Sequence, residues 1–255
     1  MSQAMASQNA DDVASASRHD NRMSEIDEAR KAALDAVVFD PAAQHARVEV
    51  CDTVSSALQT LGHSLWVGGW LFGEEWTRGL GIVVQMGGEL AAGAVTLLRV
   101  GQHYPVAALV RQLIEVEYLA FTFAHDEPLA KSWLACSPEQ LRKVFTPAQM
   151  RHRSGGRFRD GEYWTHCETG GHPHPRGAFM LPCHQGDDDP GPWQWGDLAQ
   201  HLARLWDCIV DAVRGHQWHP LVDDLDASTV RPILKRWYSA DPFAHGITLP
   251  AAPSS

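Results

Sequence analysis

Tyr104-Pro105-Val106-Ala107-Ala108-Leu109-Val110-Arg111-Gln112-Leu113-Ile114-Glu115-Val116-Glu117-Tyr118-Leu119-Ala120-Phe121-Thr122-Phe123 is the stretch that decides the fold. Gly101 suits the end of a preceding helix and Pro105 the first turn of a new one. At about 100° per residue, Tyr104, Ala108, Arg111, Glu115, Tyr118 and Thr122 fall on one narrow stripe. Most of the remaining surface is apolar, which marks a helix buried nearly all round. Charges in such a place must pair or face a wet cleft. Arg111 and Glu115 stand four residues apart and can pair with each other. Two readings follow: an ion pair that orders a bundle, or one wall of a polar site. Glu89, beside Gly87-Gly88, would face the same cavity from the preceding helix.

Working outward, apolar residues recur at steps of three and four over 23–38, 41–61 and 74–99. Asp40-Pro41 separates the first two, and the aromatic, Gly-rich segment 62–73 separates the next two. Gly87-Gly88 inside a helix calls for a close neighbour, because each glycine costs about 1 kcal/mol against alanine. Shorter helices are predicted at 127–135, 138–144 and 147–153, the last capped by Thr146 with Pro147 behind it. Residues 154–192 are rich in Gly, Pro and Asp, with helix only at 160–167. Further helices fit 196–215, capped by Asp197 or the turn before it, and 227–238, capped by Ser228-Thr229. No strand-like alternation is sustained and no repeat stands out. The fold class is therefore all-α. Residues 1–22 are read as a disordered tail, 23–246 as one helical domain with the loop-rich insertion 154–192, and 247–255 as a loose end.

The 255 residues are 44% hydrophobic, enough for a sizeable core, and include ten tryptophans. A formal charge of −10 argues against DNA binding by bulk charge. A local basic run remains: Arg142, Lys143, Arg151, Arg153, Arg157 and Arg159. Five scattered cysteines do not form a disulfide framework. Cys51, Cys136 and Cys208 sit on apolar helical faces and read as core. No secretory leader and no clean membrane span is visible, so a soluble cytoplasmic protein is expected. The excess of Arg over Lys, 17 to 4, suggests a GC-rich bacterial source.

The segment Glu162-Tyr163-Trp164-Thr165-His166-Cys167-Glu168-Thr169-Gly170-Gly171-His172-Pro173-His174-Pro175 concentrates side chains that titrate or bind metals. Cys183 and His184 follow shortly. Zinc takes four N or S ligands in a tetrahedron, and Cys167, His172, His174 and Cys183 would supply them. Their spacing departs from two compact pairs. A histidine here would otherwise serve as a general acid or base, or pack in the loop against Trp164. The acidic run Gly186-Asp187-Asp188-Asp189 reads as a solvated turn, lacking the alternating oxygen ligands of a calcium loop.

The join Leu97-Leu98-Arg99-Val100-Gly101-Gln102-His103-Tyr104-Pro105, followed by Arg111-x-x-x-Glu115, resembles helical bacterial proteins of the HEPN superfamily. The likeness is to the abortive-infection-like and uncharacterised branches. Tyr163 through His172-Pro173 resembles a second element of that family, and the likeness covers about residues 75–175. The resemblance implies an antiparallel helical bundle, often a homodimer, and in some branches a metal-independent ribonuclease or toxin-like factor in defence or stress response. Its Arg-x(4–6)-His motif matches Arg159-Asp160 with His166, and also Arg214 with His219. On that reading His166 or His172 is the base, Arg159 or Arg111 steadies the phosphorane, and Glu115 belongs to the catalytic group. Tyr118, Tyr163, His174, Arg151 and Arg153 would bind RNA, with the basic run seating the phosphates. The alternatives are a non-catalytic scaffold or regulatory partner, and a zinc-stabilised domain.

Overall fold

The structure, a computed structural model, describes residues 32, 35–182 and 189–245. The chain divides into Met1–Asp40 and Pro41–Ser255. In the first unit residues 35–38 are helical, while the rest of the expected 23–38 helix and the tail 1–22 lie outside the described residues, as does 247–255. The second unit runs α1 Pro41–Leu71, α2 Glu75–Arg99, α3 His103–His125, α4 Glu127–Ala135, α5 Pro138–Val144, α6 Pro147–Arg153 and α7 Asp160–His166. α7 continues into one wide π turn, Cys167–Gly171, and a short 3₁₀ turn, Pro175–Met180. Then come α8 Gly191–Val213, α9 His219–Leu225, a second π turn Asp226–Val230, α10 Arg231–Ala240 and a final 3₁₀ turn, Pro242–His245. No strand occurs among the described residues, as the all-α reading expects.

Among the long helices α2 packs on α1 and α3, and α8 packs on all three, with α4 against α2 and α10 against α1. Their shared core includes Leu58, Leu61, Leu80, Val83, Leu113, Ile114, Leu202, Leu205, Trp206 and Ile209. The segment 62–73 is not a break, because α1 runs through it to Leu71. Gly62 and Gly69 are contact points within α1 rather than part of a gap between helices, and Gly87-Gly88 have the close neighbour expected of them. A Cβ on Gly69 would lie 2.5 Å from the Arg78 nitrogen, and one on Gly88 2.6 Å from the Gln59 nitrogen. Gly62 and Gly81 meet the Gln85 and Trp66 backbones in the same way. As the number on one helix rises, its partner's falls by the same step, so α1 and α2 are antiparallel and nearly touch. Gly87 admits the Leu205 side chain from α8. Gly101 turns the chain between α2 and α3 at a φ of 71°, as expected of a glycine beyond a helix end.

Thr146 caps α6 by accepting from the Gln149 N–H, and Ser137 caps α5 through a reciprocal pair with Gln140. Asp197 and Ser228-Thr229 cap nothing. α8 starts earlier, at Gly191, so Asp197 lies a turn inside it; Ser228 and Thr229 fall within the second π turn. One buried pair had no signal in the sequence. The Arg47 guanidinium grips the Asp241 carboxylate through Nε at 2.7 Å and Nη2 at 2.8 Å, with both side chains at zero exposure. Trp237 donates its indole N–H to the same carboxylate at 2.8 Å, and Arg47 Nη1 donates to the Pro192 carbonyl at 3.2 Å. The pair thereby ties α1, the start of α8 and the end of α10 together.

α2 is the one described helix long and apolar enough to cross a membrane by length and composition, and half of that window is packed inside the bundle.

Candidate functional site: a buried charge cluster and a basic groove on one helix

The π turn after α7 folds onto the polar stripe of α3. Gly170 packs on Ala107 and the Ala108 nitrogen, and Gly171 on the Arg111 side chain; any Cβ there would collide. This close approach sets Tyr163 against the stripe. Arg111 Nη2 donates to the Tyr163 hydroxyl at 2.6 Å and pairs with Glu115 at 2.7 Å. The Tyr163 hydroxyl donates to Glu115 Oε1 at 3.3 Å. Burial pushes the Tyr163 phenol up, with Arg111 pulling the other way, to about 12. Arg111 and Glu115 are therefore partners, as the stripe suggested, and the His/Cys segment does reach them through Tyr163 and Gly171. His172 and His174 are exposed, and so is Glu89, which faces away from this site. Trp164 is 55% exposed and does not pack the loop histidines.

Four residues apart on one face of α7, Glu162 and His166 point inward. Asp197 and His201 repeat that spacing on α8, with Arg204 one turn further on. α3 contributes Glu117 at 0% exposure, one residue off the expected stripe. His166 Nδ1 meets the Glu162 carbonyl at 2.8 Å, and a carbonyl only accepts, so this nitrogen carries hydrogen. Its Nε2 lies 2.9 Å from Asp197 Oδ2. Burial disfavours a charged imidazole, but the Asp197 carboxylate outweighs it and raises His166 to about 9. Burial likewise works against an ionised Asp197, yet His166, then His201 and Arg204, bring it down to about 2.

His201 Nδ1 stands 2.9 Å from Glu117 Oε2. Its Nε2 lies 3.7 Å from Asp197 Oδ1 and 3.9 Å from Glu162 Oε1. Arg204 Nη2 is 2.5 Å from Glu162 Oε1 and 2.7 Å from His201 Nδ1. A guanidinium cannot donate to a nitrogen that already donates to Glu117, so the Arg204–His201 approach is a contact, and Glu162 holds the guanidinium. Burial opposes an ionised Glu162, and Arg204 more than offsets this, leaving its pKa lowered. Burial also opposes the Arg204 charge, and Glu117 and Glu162 outweigh it, so its pKa is raised. Tyr118 is 1% exposed, and its hydroxyl has no hydrogen-bond partner; Glu117 Oε1 and Arg204 Nε face each other as an ion pair at 3.2 Å. Among the described residues His166, Asp197 and His201 form the group able to hold a metal ion, their donor atoms all within 4.8 Å of one another.

The opposite face of α7 borders a groove against α6, lined by Ala148, Arg151, His152, Gly155, Gly156, Phe158, Asp160 and Trp164. Arg151 is buried with its guanidinium 4.2 Å from the Tyr163 ring centre and Nε on Asp160 at 2.7 Å, while Nη1 has no hydrogen-bond partner. Arg153, Arg157 and Arg159 are exposed around it.

The expected site residues thus separate. Arg111, Glu115, Tyr163 and Arg151 come together, and Tyr118 lies next to the charge cluster. His166 is sealed inside with both ring nitrogens engaged, whereas Arg159 is exposed at the start of α7. The expected zinc set does not assemble among the described residues: Cys167 is buried while His172 and His174 face solvent, and Cys183 lies outside the described residues. Glu117, Asp197, His201 and Arg204 went unread as site residues. The signal that finds two of them, Asp197 and His201, is the carboxylate-x-x-x-His spacing that repeats that of Glu162–His166. No family model matches this chain, and no curated protein or solved structure gives a significant match to it.

Proposed function

We propose that this protein binds single-stranded RNA along the groove between α6 and α7. The observation that carries the reading is Arg151: a buried guanidinium on the groove wall with Nη1 uncommitted. Its stem is held by Tyr163 and Asp160, so it is preorganised for an anionic oxygen. Trp164, 55% exposed beside it, offers a face for a base to stack on. Gly155 and Gly156 have φ of 63° and 91° and open space where a Cβ would be, so a backbone can approach closely. With a net charge of −10 on the chain, attraction must be local, and Arg153, Arg157 and Arg159 supply it. The HEPN resemblance would add metal-independent cleavage, with Arg111 beside the turn that carries exposed His172. A second reading, a non-catalytic helical scaffold, is favoured by Arg111, Glu115 and Tyr163 bonding to one another.

Fluorescence anisotropy with a labelled single-stranded RNA tests the reading. Trp164→Ala is expected to weaken binding by about 1–3 kcal/mol, the usual worth of one stacked base. The affinity should fall with salt, at a log–log slope of about −0.7 for each phosphate contacted. Wild-type affinity in Trp164→Ala, or binding indifferent to salt, sinks the proposal. RNA left intact by the wild type would remove cleavage while leaving binding in place.

A further inference from the structure

We propose that the buried cluster between α3, α7 and α8 is a zinc site, with His166 Nε2, His201 Nε2 and Asp197 as the gathered ligands and Glu162 taking the fourth place once Arg204 releases it. The proposal is independent of the RNA reading, since the cluster lies on the other face of α7. The first support is how the imidazoles are held. A ligating histidine nearly always donates its far ring N–H to a carbonyl or carboxylate, which fixes the tautomer and turns the other nitrogen to the metal. Both histidines here do so through Nδ1: His166 to the Glu162 carbonyl at 2.8 Å, His201 to Glu117 at 2.9 Å. Both Nε2 atoms then face the same carboxylate, Asp197.

The second support is spacing. Ligand atoms about 2.1 Å from a tetrahedral zinc lie about 3.4 Å from one another. His166 Nε2 lies 2.9 Å from one Asp197 oxygen and His201 Nε2 3.7 Å from the other, and the three donor atoms fall within 4.8 Å of one another, near enough to draw in to that edge. The third is charge. Three carboxylates, Glu117, Glu162 and Asp197, meet one guanidinium and the one proton held between His166 and Asp197, so one negative charge is in excess in a place where unpaired charge is expensive. A divalent ion supplies what is missing. Tyr118, 99% out of solvent, adds an independent sign of a further occupant: its hydroxyl has no partner, and Glu162, Glu117 and Arg204 are among the charges it feels.

Arg204 Nη2, bonded to Glu162 and nearer to His201 Nδ1 than to Nε2, is the cation that holds the carboxylate the ion would take. At 36% side-chain exposure it is free to swing outward. Two imidazoles and two carboxylates suit zinc and leave it with four protein ligands, the mark of a structural site. Such an ion would pin α7, only seven residues long, to α3 and α8. Binding releases the proton that His166 shares with Asp197 and moves Arg204 off Glu162.

The test uses the full chain, stripped with a chelator, dialysed free of it and titrated with zinc, then with cobalt as a visible reporter. The expected result is one ion per chain and a tetrahedral cobalt spectrum without a thiolate charge-transfer band. Glu117→Gln, which touches no ligand but takes the charge from the anchor behind His201 and from the Glu117–Arg204 pair, should keep that stoichiometry and weaken zinc about 10- to 100-fold. His201→Gln should abolish binding, with circular dichroism reporting whether it folds. His172→Ala should bind as the wild type does. No zinc retained by the wild type overturns the proposal. So does a thiolate band, which would put the ion on cysteines, or undiminished affinity in both Glu117→Gln and a folded His201→Gln.

Discussion

Replacing Asp241 by alanine should be among the most damaging single changes in this chain. The Asp241 carboxylate takes two hydrogen bonds from Arg47 and one from the Trp237 indole, at 2.7 to 2.8 Å, with no solvent contact on either side of the ion pair. Alanine strands a buried guanidinium and a buried indole N–H together. Removing one partner of a buried pair costs about 3–5 kcal/mol. At roughly 2–4 °C per kcal/mol for a domain of this size, the melting temperature should drop by roughly 6–20 °C. Differential scanning calorimetry and urea unfolding would each measure it. Arg47→Met with Asp241→Leu should recover part of the loss, because it removes both charges but leaves the Trp237 indole N–H and the Pro192 carbonyl without their partner. A loss under about 1 kcal/mol in Asp241→Ala would refute the reasoning, since it would mean that water reaches the pair. A double variant no better than the single would refute the assignment of the loss to stranded charge.

Further outcomes follow from other contacts. Gly88→Ala gains about 1 kcal/mol of helix propensity but drives a Cβ into the Gln59 backbone, so a net loss of about 1–2 kcal/mol is expected in urea unfolding; a more stable variant would show that α1 and α2 can move apart. In chelator-treated protein, His166 is raised from 6.5 to about 9, worth about 3 kcal/mol at 1.36 per pKa unit. A raised folded value means that this stability is full below pH 6.5 and is lost as pH climbs through 9. Asp197, lowered to about 2, is the same pair seen from the other partner, and its share is lost as pH falls from 3.8 toward 2. Unfolding midpoints equal at pH 6 and pH 9.5 would contradict this. Burial pushes the Cys208 thiol up to about 12 and Cys51 well above its usual value, so both should resist a thiol-reactive disulfide at pH 8 until the protein unfolds; rapid labelling of either would contradict their burial.

The long helices were legible because apolar residues repeated at helical spacing, and the short ones because Thr146, Pro147 and Gly101 punctuated them. The Gly-rich stretch 62–73 was misread because sequence shows what a glycine permits, not what lies beside it. Gly62 and Gly69 are needed by a neighbouring backbone, whereas the close neighbour of Gly87-Gly88 was legible from their place inside a helix. Arg111–Glu115 was legible as a local pair, four residues apart on one helix. Arg47–Asp241 was not, since nothing local links residues at opposite ends of the unit. The charge cluster fell between these cases. Glu162 and His166 stood in a segment already rich in titratable groups. Glu117, Asp197 and His201 were each plausible as an ordinary helix residue, and only the meeting of three helices makes them a group.

The backbone contact between α1 and α2 also bears on how the chain reaches its fold. Its contacts join residues close in sequence, so bringing them together spends little loop-closure entropy. One alignment alone places glycine opposite backbone at every crossing, and a slip by one turn would put a side chain there. The hairpin can thus find its own alignment before α8 and α10 arrive from far along the chain. The amides of α1 and α2 should gain protection first in a pulsed hydrogen-exchange refolding experiment, and simultaneous protection of α8 would count against that order.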